Sequence, residues 1–135
     1  MMMNNPYQKY QNQAVQTATP ERLLLMLFEG AMRFCKEAML GIEQRNFAVA
    51  NEKNIRVQNI INELIITLDR GQGGEVAENL LSIYNYLNQR LIEANLKKEK
   101  EILEEVYGHL SELHEAFNGA AQVVRTQTGR TGDQA

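Results

Sequence analysis

Proline is confined to Pro6 and Pro20, so residues 21–135 hold none of the rings that remove a backbone donor and break a helix. A proline-free reach of this length, with apolar residues recurring at spacings of three and four, is free to be helical nearly throughout. Thr19-Pro20 reads as an N-cap followed by proline at the first helical position, although Arg22 leaves the reciprocal capping box incomplete. The first helix is expected to run from there to Gly41 or Ile42 on a stripe of Leu24, Phe28, Ala31, Cys35 and Ala38.

Three further helices follow from the same pattern. The second is expected over 47–68, with Phe47, Ala50, Val57, Ile61, Leu64 and Leu68 on one face. Asn54 shares that face, so it must meet a polar partner at a helix crossing or mark a less buried layer. Arg70-Gly71-Gln72-Gly73-Gly74 is the clearest break, because glycine loses the most backbone freedom in a helix. The third helix is expected over 75–96 on Val76, Leu80, Ile83, Tyr84, Leu87, Leu91 and Ala94. The fourth spans 99–124 on Ile102, Leu103, Val106, Leu110, Leu113, Phe117, Ala120 and Val124.

The expected fold is all-α, a largely antiparallel four-helix bundle with an N-terminal arm or short helix. Residues 1–19 form that arm or lid, 20–125 the bundle, and 126–135 a flexible polar tail. A chain of 135 residues suits one domain, and 44% hydrophobic with 23% charged residues is ordinary for a folded one. No 20–50-residue period marks a solenoid, and the faces do not hold the strict heptads of a long coiled coil.

Composition excludes several function classes. A net charge of −3 supplies no concentrated positive field for phosphates, so nucleic acid is not an expected partner. The longest apolar run, Leu23 to Phe28, is far short of the roughly 20 residues that cross a bilayer. No leader pattern is present at the start, and the single Cys35 rules out an internal disulfide framework, so the cytoplasm is the expected compartment.

No catalytic or metal set emerges either. His109 and His114 lie about 140° apart around one helix and cannot readily share an ion. Neither has a glutamate three residues before it, as a di-iron bundle needs; Val106 and Ser111 stand there. Cys35 is centred on an apolar stripe, and the Gly71–Gly74 stretch lacks the lysine and hydroxyl residue of a phosphate loop. The chain is read as a non-enzyme without cofactors.

Apolar surface beyond the needs of a core carries the functional reading. On helix 1, Leu25, Met32 and Met39 widen the stripe on one flank, and a helix packed deeply between two neighbours would explain the same width. Ile55 and Ile66 form a side pair on helix 2, and Leu81 and Ile92 one on helix 3. Were these contiguous, the patch would reach the size at which binding of another chain accounts for it. In the arm, Tyr7 and Tyr10 with Ala14 and Val15 form a possible cover for such a groove, exchangeable or permanently packed.

Asn5-Pro6-Tyr7-Gln8-Lys9-Tyr10, the stretch from Val15 to Ala31 containing Thr17-Ala18-Thr19-Pro20-Glu21-Arg22-Leu23-Leu24, and Tyr84-Asn85-Tyr86-Leu87-Asn88-Gln89-Arg90-Leu91-Ile92-Glu93-Ala94-Asn95 resemble the FliS family of flagellar secretion chaperones. The resemblance covers most of residues 4–122. It implies a cytoplasmic export chaperone that binds the C-terminal region of flagellin, prevents premature polymerisation and supports delivery to the flagellar type III export apparatus. It also implies that Tyr7 and Tyr10 belong to a segment able to occupy client surface. Phe28 stands where a tyrosine is common in the family, keeping the bulk and losing the hydroxyl. The expected client or lid residues are therefore Tyr7, Tyr10, Leu25, Met32, Ile55, Ile66, Leu81 and Ile92. Self-association through the same surface is the competing expectation.

Overall fold

The computed structural model describes residues 18–134, with side chains as far as Ala120. Among these residues the secondary structure is entirely helical: α1 Pro20–Glu43, α2 Phe47–Ile66, α3 Arg70–Lys97 and α4 Lys100–Gln134. Each start of the first three is fixed by a side-chain acceptor for an orphan amide. Thr19 Oγ1 accepts from the Arg22 amide at 3.1 Å, Asn46 Oδ1 from Val49 at 3.3 Å, and Asp69 Oδ1 from Gln72 at 3.0 Å.

The glycine-rich segment interrupts the chain as its composition predicts: Asp69 caps a first turn at Arg70, and the helix is broken at Gly74. There φ is +57° and ψ −130°, a conformation that a side chain would strain. The last helix continues to Gln134, past the Val124 at which the apolar pattern ends. Lys98, at φ +55°, makes the left-handed turn between α3 and α4 where the sequence offers neither glycine nor proline.

The helices form a closed square in which each packs against two neighbours, in the order α1–α2–α3–α4–α1. Cross-helix pairs run in opposite directions along every neighbour, which makes the bundle antiparallel. Glu37 meets Lys53 while Gly30 faces Ile60 across α1–α2. Glu29 meets His114 while Glu43 meets Lys100 across α1–α4. Asn51 meets Asn95 while Asn62 meets Asn88 across α2–α3. The closest approach is at Gly41, where a Cβ would lie 2.8 Å from the Ala50 amide nitrogen. Only a glycine lets α1 and α2 come so near there.

One contiguous core runs through the bundle, with Phe28, Cys35, Val57, Ile61, Leu64, Tyr84, Leu87, Leu91, Leu103, Val106 and Leu110 sealed from solvent. Phe28 stacks on Phe117 of α4 with ring centroids 5.6 Å apart. Cys35 is a small core hydrophobe, its thiol donating to the Leu103 carbonyl at 3.3 Å. Burial pushes that thiol up to about 12, the opposite of a reactive cysteine. Asn54 is the buried polar exception. Its Nδ2 donates to the Leu91 carbonyl at 3.0 Å and its Oδ1 accepts from Gln58 Nε2 at 2.7 Å, so it marks the α2–α3 crossing fully paired.

Four residues assigned to the apolar faces from their spacing are exposed: Phe47, Val76, Ile83 and Ala120. Phe47 is the first residue of α2, and Val76 follows the Gly74 kink, so each stands at a helix end where few side chains reach it. The buried series on α3 is instead Ala77, Tyr84, Leu87, Leu91 and Ala94. Ile83 borders an open depression of about 430 Å³ between α3 and α4, lined also by Ser82, Tyr86, His109, Glu112 and Leu113.

Candidate client-binding groove

At about 100° per residue, the α1 side chains that meet α4, such as Glu29, Lys36 and Glu43, share a direction with Leu25, Met32 and Met39. The flank that widened the stripe is the side that packs on α4. Leu25 is 5% exposed, Met39 is buried, and Met32 is partly buried against the core. The width of the α1 face is thus spent on two neighbouring helices, α2 on one side and α4 on the other.

The α2 and α3 side pairs have the opposite fate. Ile55 is 43% exposed, Ile66 74% and Ile92 50%, while Leu81 is half-buried. Asn51–Asn95 and Asn62–Asn88 fix the antiparallel register of α2 and α3. In that register Ile55 lies near the height of Ile92, while Ile66, four residues past Asn62, falls nearer Tyr84, with Leu81 about one turn further along α3. All four border the outer side of the α2–α3 seam, with the Asn62–Asn88 rung between the two apolar pairs and Asn51–Asn95 beyond Ile55 and Ile92. The structure leaves Ile55, Ile66 and Ile92 exposed and Leu81 half-buried on the α2 and α3 helices. It places Leu25 and Met32 on the α1–α4 side, away from them. Tyr7 and Tyr10 lie outside the described residues.

Leu96, 81% exposed and one turn beyond Ile92, extends the α3 side and was not among the residues picked from sequence. The i, i+4 spacing from Ile92 was the available signal. Leu40 is a second such residue. It lies beside a depression of about 450 Å³ between α1 and α4, whose rim is the charged set Lys36, Glu43, Lys100 and Glu104 around Met39 and Tyr107.

Electrostatics distinguish the seams. Lys53–Glu37 at 3.2 Å spans α1–α2, Lys100–Glu43 and His114–Glu29, both at 3.0 Å, span α1–α4, and Arg90–Glu105 at 2.8 Å spans α3–α4. On the last seam Tyr86 also donates to Glu105, and this hydrogen bond leads the interactions that hold the Glu105 carboxyl below the usual range. Among the described residues no ion pair spans α2–α3. Carboxamides bridge it: the Asn54–Leu91 bond in the interior and the two asparagine rungs outside. Asn88 Oδ1 is buried without a partner, and Lys98 Nζ donates to Asn95 Oδ1 at 2.8 Å at one end of the seam.

None of this geometry is that of a reaction centre. Among the described residues no three histidine, cysteine or acidic side chains are grouped to hold a metal ion, and no helix is long and apolar enough to cross a membrane. The sequence model of a family described as flagellar protein FliS matches residues 3–124. The chain belongs to the FliS family. It is 37% identical over 132 residues to the flagellar secretion chaperone FliS of Bacillus subtilis, covering 98% of each chain. It is 38% identical over 118 residues to that of Salmonella typhimurium, covering 87% of each. Against the FliS of Campylobacter jejuni identity is 36% over 122 residues, or 87% of this chain and 91% of the relative. A FliS-family bundle with exposed isoleucines along its α2–α3 seam is thus the object whose function has to be explained.

Proposed function

We propose that this chain is a cytoplasmic export chaperone that binds the C-terminal region of flagellin, holds it back from premature polymerisation and supports its delivery to the flagellar type III export apparatus. The observation that supports the reading is the outer side of the α2–α3 seam, where Ile55, Ile66 and Ile92 are exposed and Leu81 half-buried in a family member whose relatives are named secretion chaperones. A client helix laid along the seam would meet apolar anchors about three turns apart on each helix.

Magnitudes say how far this seam alone can go. Fully burying an isoleucine or leucine is worth about 1.5–3 kcal/mol. Ordering a client backbone costs roughly 1–2 kcal/mol per residue, so four anchors offset fewer than about a dozen residues. The client contact therefore extends beyond the seam, and the adjoining α3–α4 depression with Ile83, Tyr86 and Leu113 is its nearest apolar continuation.

Calorimetry of the full chain with a peptide of the flagellin C-terminal region tests the reading. Saturable binding in about equal molar ratio is expected. Absence of binding at micromolar concentration contradicts it, and a concentration-independent dimer that hides Ile55 and Ile92 would favour self-association instead.

A further inference from the structure

Across the square of helices from the exposed isoleucines, the open depression of about 450 Å³ between α1 and α4 has Met39 and Tyr107 in its lining, and Leu40 stands beside it 50% exposed. A lone exposed leucine is ordinary, so the weight falls on the charges around it. They are sorted by sign along α1. At one end Lys36 lays its ammonium on the Tyr107 ring, 4.6 Å from the centroid, and has no carboxylate partner among the described residues. Arg33, one turn before it on the exposed face of α1, lies on the Phe34 ring at 4.9 Å and also has none. The nearby acids are already engaged: Glu29 by His114 and Arg22, and Glu37 by Lys53. At the other end Glu43 and Glu104 share the one cation Lys100, at 3.0 and 3.6 Å, so that trio keeps an excess negative charge. An aromatic face holds a cation in place without neutralising it, which leaves Lys36 and Arg33 with donors to offer.

From this arrangement we infer that the α1–α4 depression docks a helical segment of a second protein carrying an acidic, an apolar and a basic residue on successive turns. The acid meets Lys36 and Arg33, the apolar side chain packs on Leu40, and the base meets Glu43 and Glu104. Lys36 and Glu43 are seven residues apart, about 10 Å along α1, which two turns of a docked helix span. The chain's own ends do not fit. Residues 1–17 contain no acid to answer Lys36, and Gln134 lies about 50 Å along α4 from Lys100. Since the α1–α4 and α2–α3 seams are opposite sides of the square, this segment and a client on the isoleucines can be held at once. The inference goes beyond the client reading and stands independently of it.

Three synthetic helical peptides, each with a central leucine, test it on the full chain. One has glutamate a turn before and lysine a turn after, one has glutamate at both places, and one has lysine at both. Titrations are followed by the Leu40 methyl and Tyr107 ring resonances, with thermal midpoints recorded for every variant. The mixed peptide is expected to bind saturably and about fivefold or more tighter than either single-sign peptide, and to weaken in high salt. Leu40→Ser should weaken it by about tenfold and Lys36→Gln by about threefold, while Ile55→Ser with Ile66→Ser changes it by less than about twofold. If Leu40→Ser melts early, Lys36→Gln alone decides. Equal binding of the three peptides, no saturable binding of the mixed one at millimolar concentration, or its displacement by the flagellin C-terminal peptide overturns the inference. So does a dimer in sedimentation that hides Leu40, because a second copy is then the occupant.

Discussion

The α1–α4 side and the α2–α3 seam look alike as sequence and end as opposites. Both present leucine, isoleucine or methionine beyond a helix's central stripe. On α1 that surplus, Leu25 and Met39, is sealed within the bundle, whereas Ile55, Ile66 and Ile92 stay in solvent. The difference lies in direction relative to the square of helices. The α1 flank points at α4, while the side pairs of α2 and α3 fall on the outer side of a seam whose interior is already closed by Asn54 on Leu91. An apolar surplus therefore signals a binding surface only when no neighbouring helix lies on that side.

Truncations should separate the two regions, with the largest effect on the sealed one. Phe28→Ala removes a fully buried ring and its stack on Phe117, and chemical denaturation should show a loss of about 3–5 kcal/mol. Leu25→Ala should cost about 2–5 kcal/mol. Were Leu25→Ala to leave stability unchanged while abolishing client binding, the assignment of the two regions would be reversed. At the crossing beneath the seam, Asn54→Ala strands Gln58 and the Leu91 carbonyl and should cost about 1–3 kcal/mol. On its outer side, Ile55→Ser with Ile66→Ser should change stability by no more than about 1 kcal/mol. The same pair should abolish most client affinity.

Proton linkage gives a further measure of the sealed core. Cys35 and Tyr84 are each pushed up to about 12 by burial, from 9.0 and 10.0. The folded chain therefore holds these protons longer than the unfolded one. Their stabilising share is complete below about pH 9 and falls away as pH rises from there toward 12. Thermal midpoints followed across that range should decline, and less steeply in Cys35→Ala than in wild type. Glu105, lowered chiefly by the Tyr86 hydrogen bond, works in the other direction on the surface. Its share is present above the ordinary carboxylate range and fades as pH drops through its folded value, the smallest of these effects because the group is exposed to screening.

Helical periodicity made the four-helix bundle legible, because buried stripes such as Val57, Ile61 and Leu64 repeat at helical spacing whatever they pack on. It also picked out Ile55, Ile66, Leu81 and Ile92 as pairs their stripes leave over. Periodicity could not say which neighbour each flank would meet, and so it grouped Leu25 and Met32 with residues on the far side of the bundle. It also misplaced Val76 and Ile83, since the Gly74 kink and the open α3–α4 depression arise from backbone conformation and inter-helix fit. The ion-free character of the α2–α3 seam was hidden for the same reason: asparagines scattered over two helices become rungs only when the register is known.

Selective methyl labelling of isoleucine offers the most direct reading of the central claim, since Ile55, Ile66 and Ile92 report the seam and Ile61 and Ile102 the sealed core. Titrating the labelled chain with the flagellin C-terminal peptide should shift or broaden the first three resonances and leave the other two nearly unmoved. Perturbation confined to Ile102 and the α1–α4 side, with Ile55 and Ile92 silent at saturation, would contradict a client seated between α2 and α3.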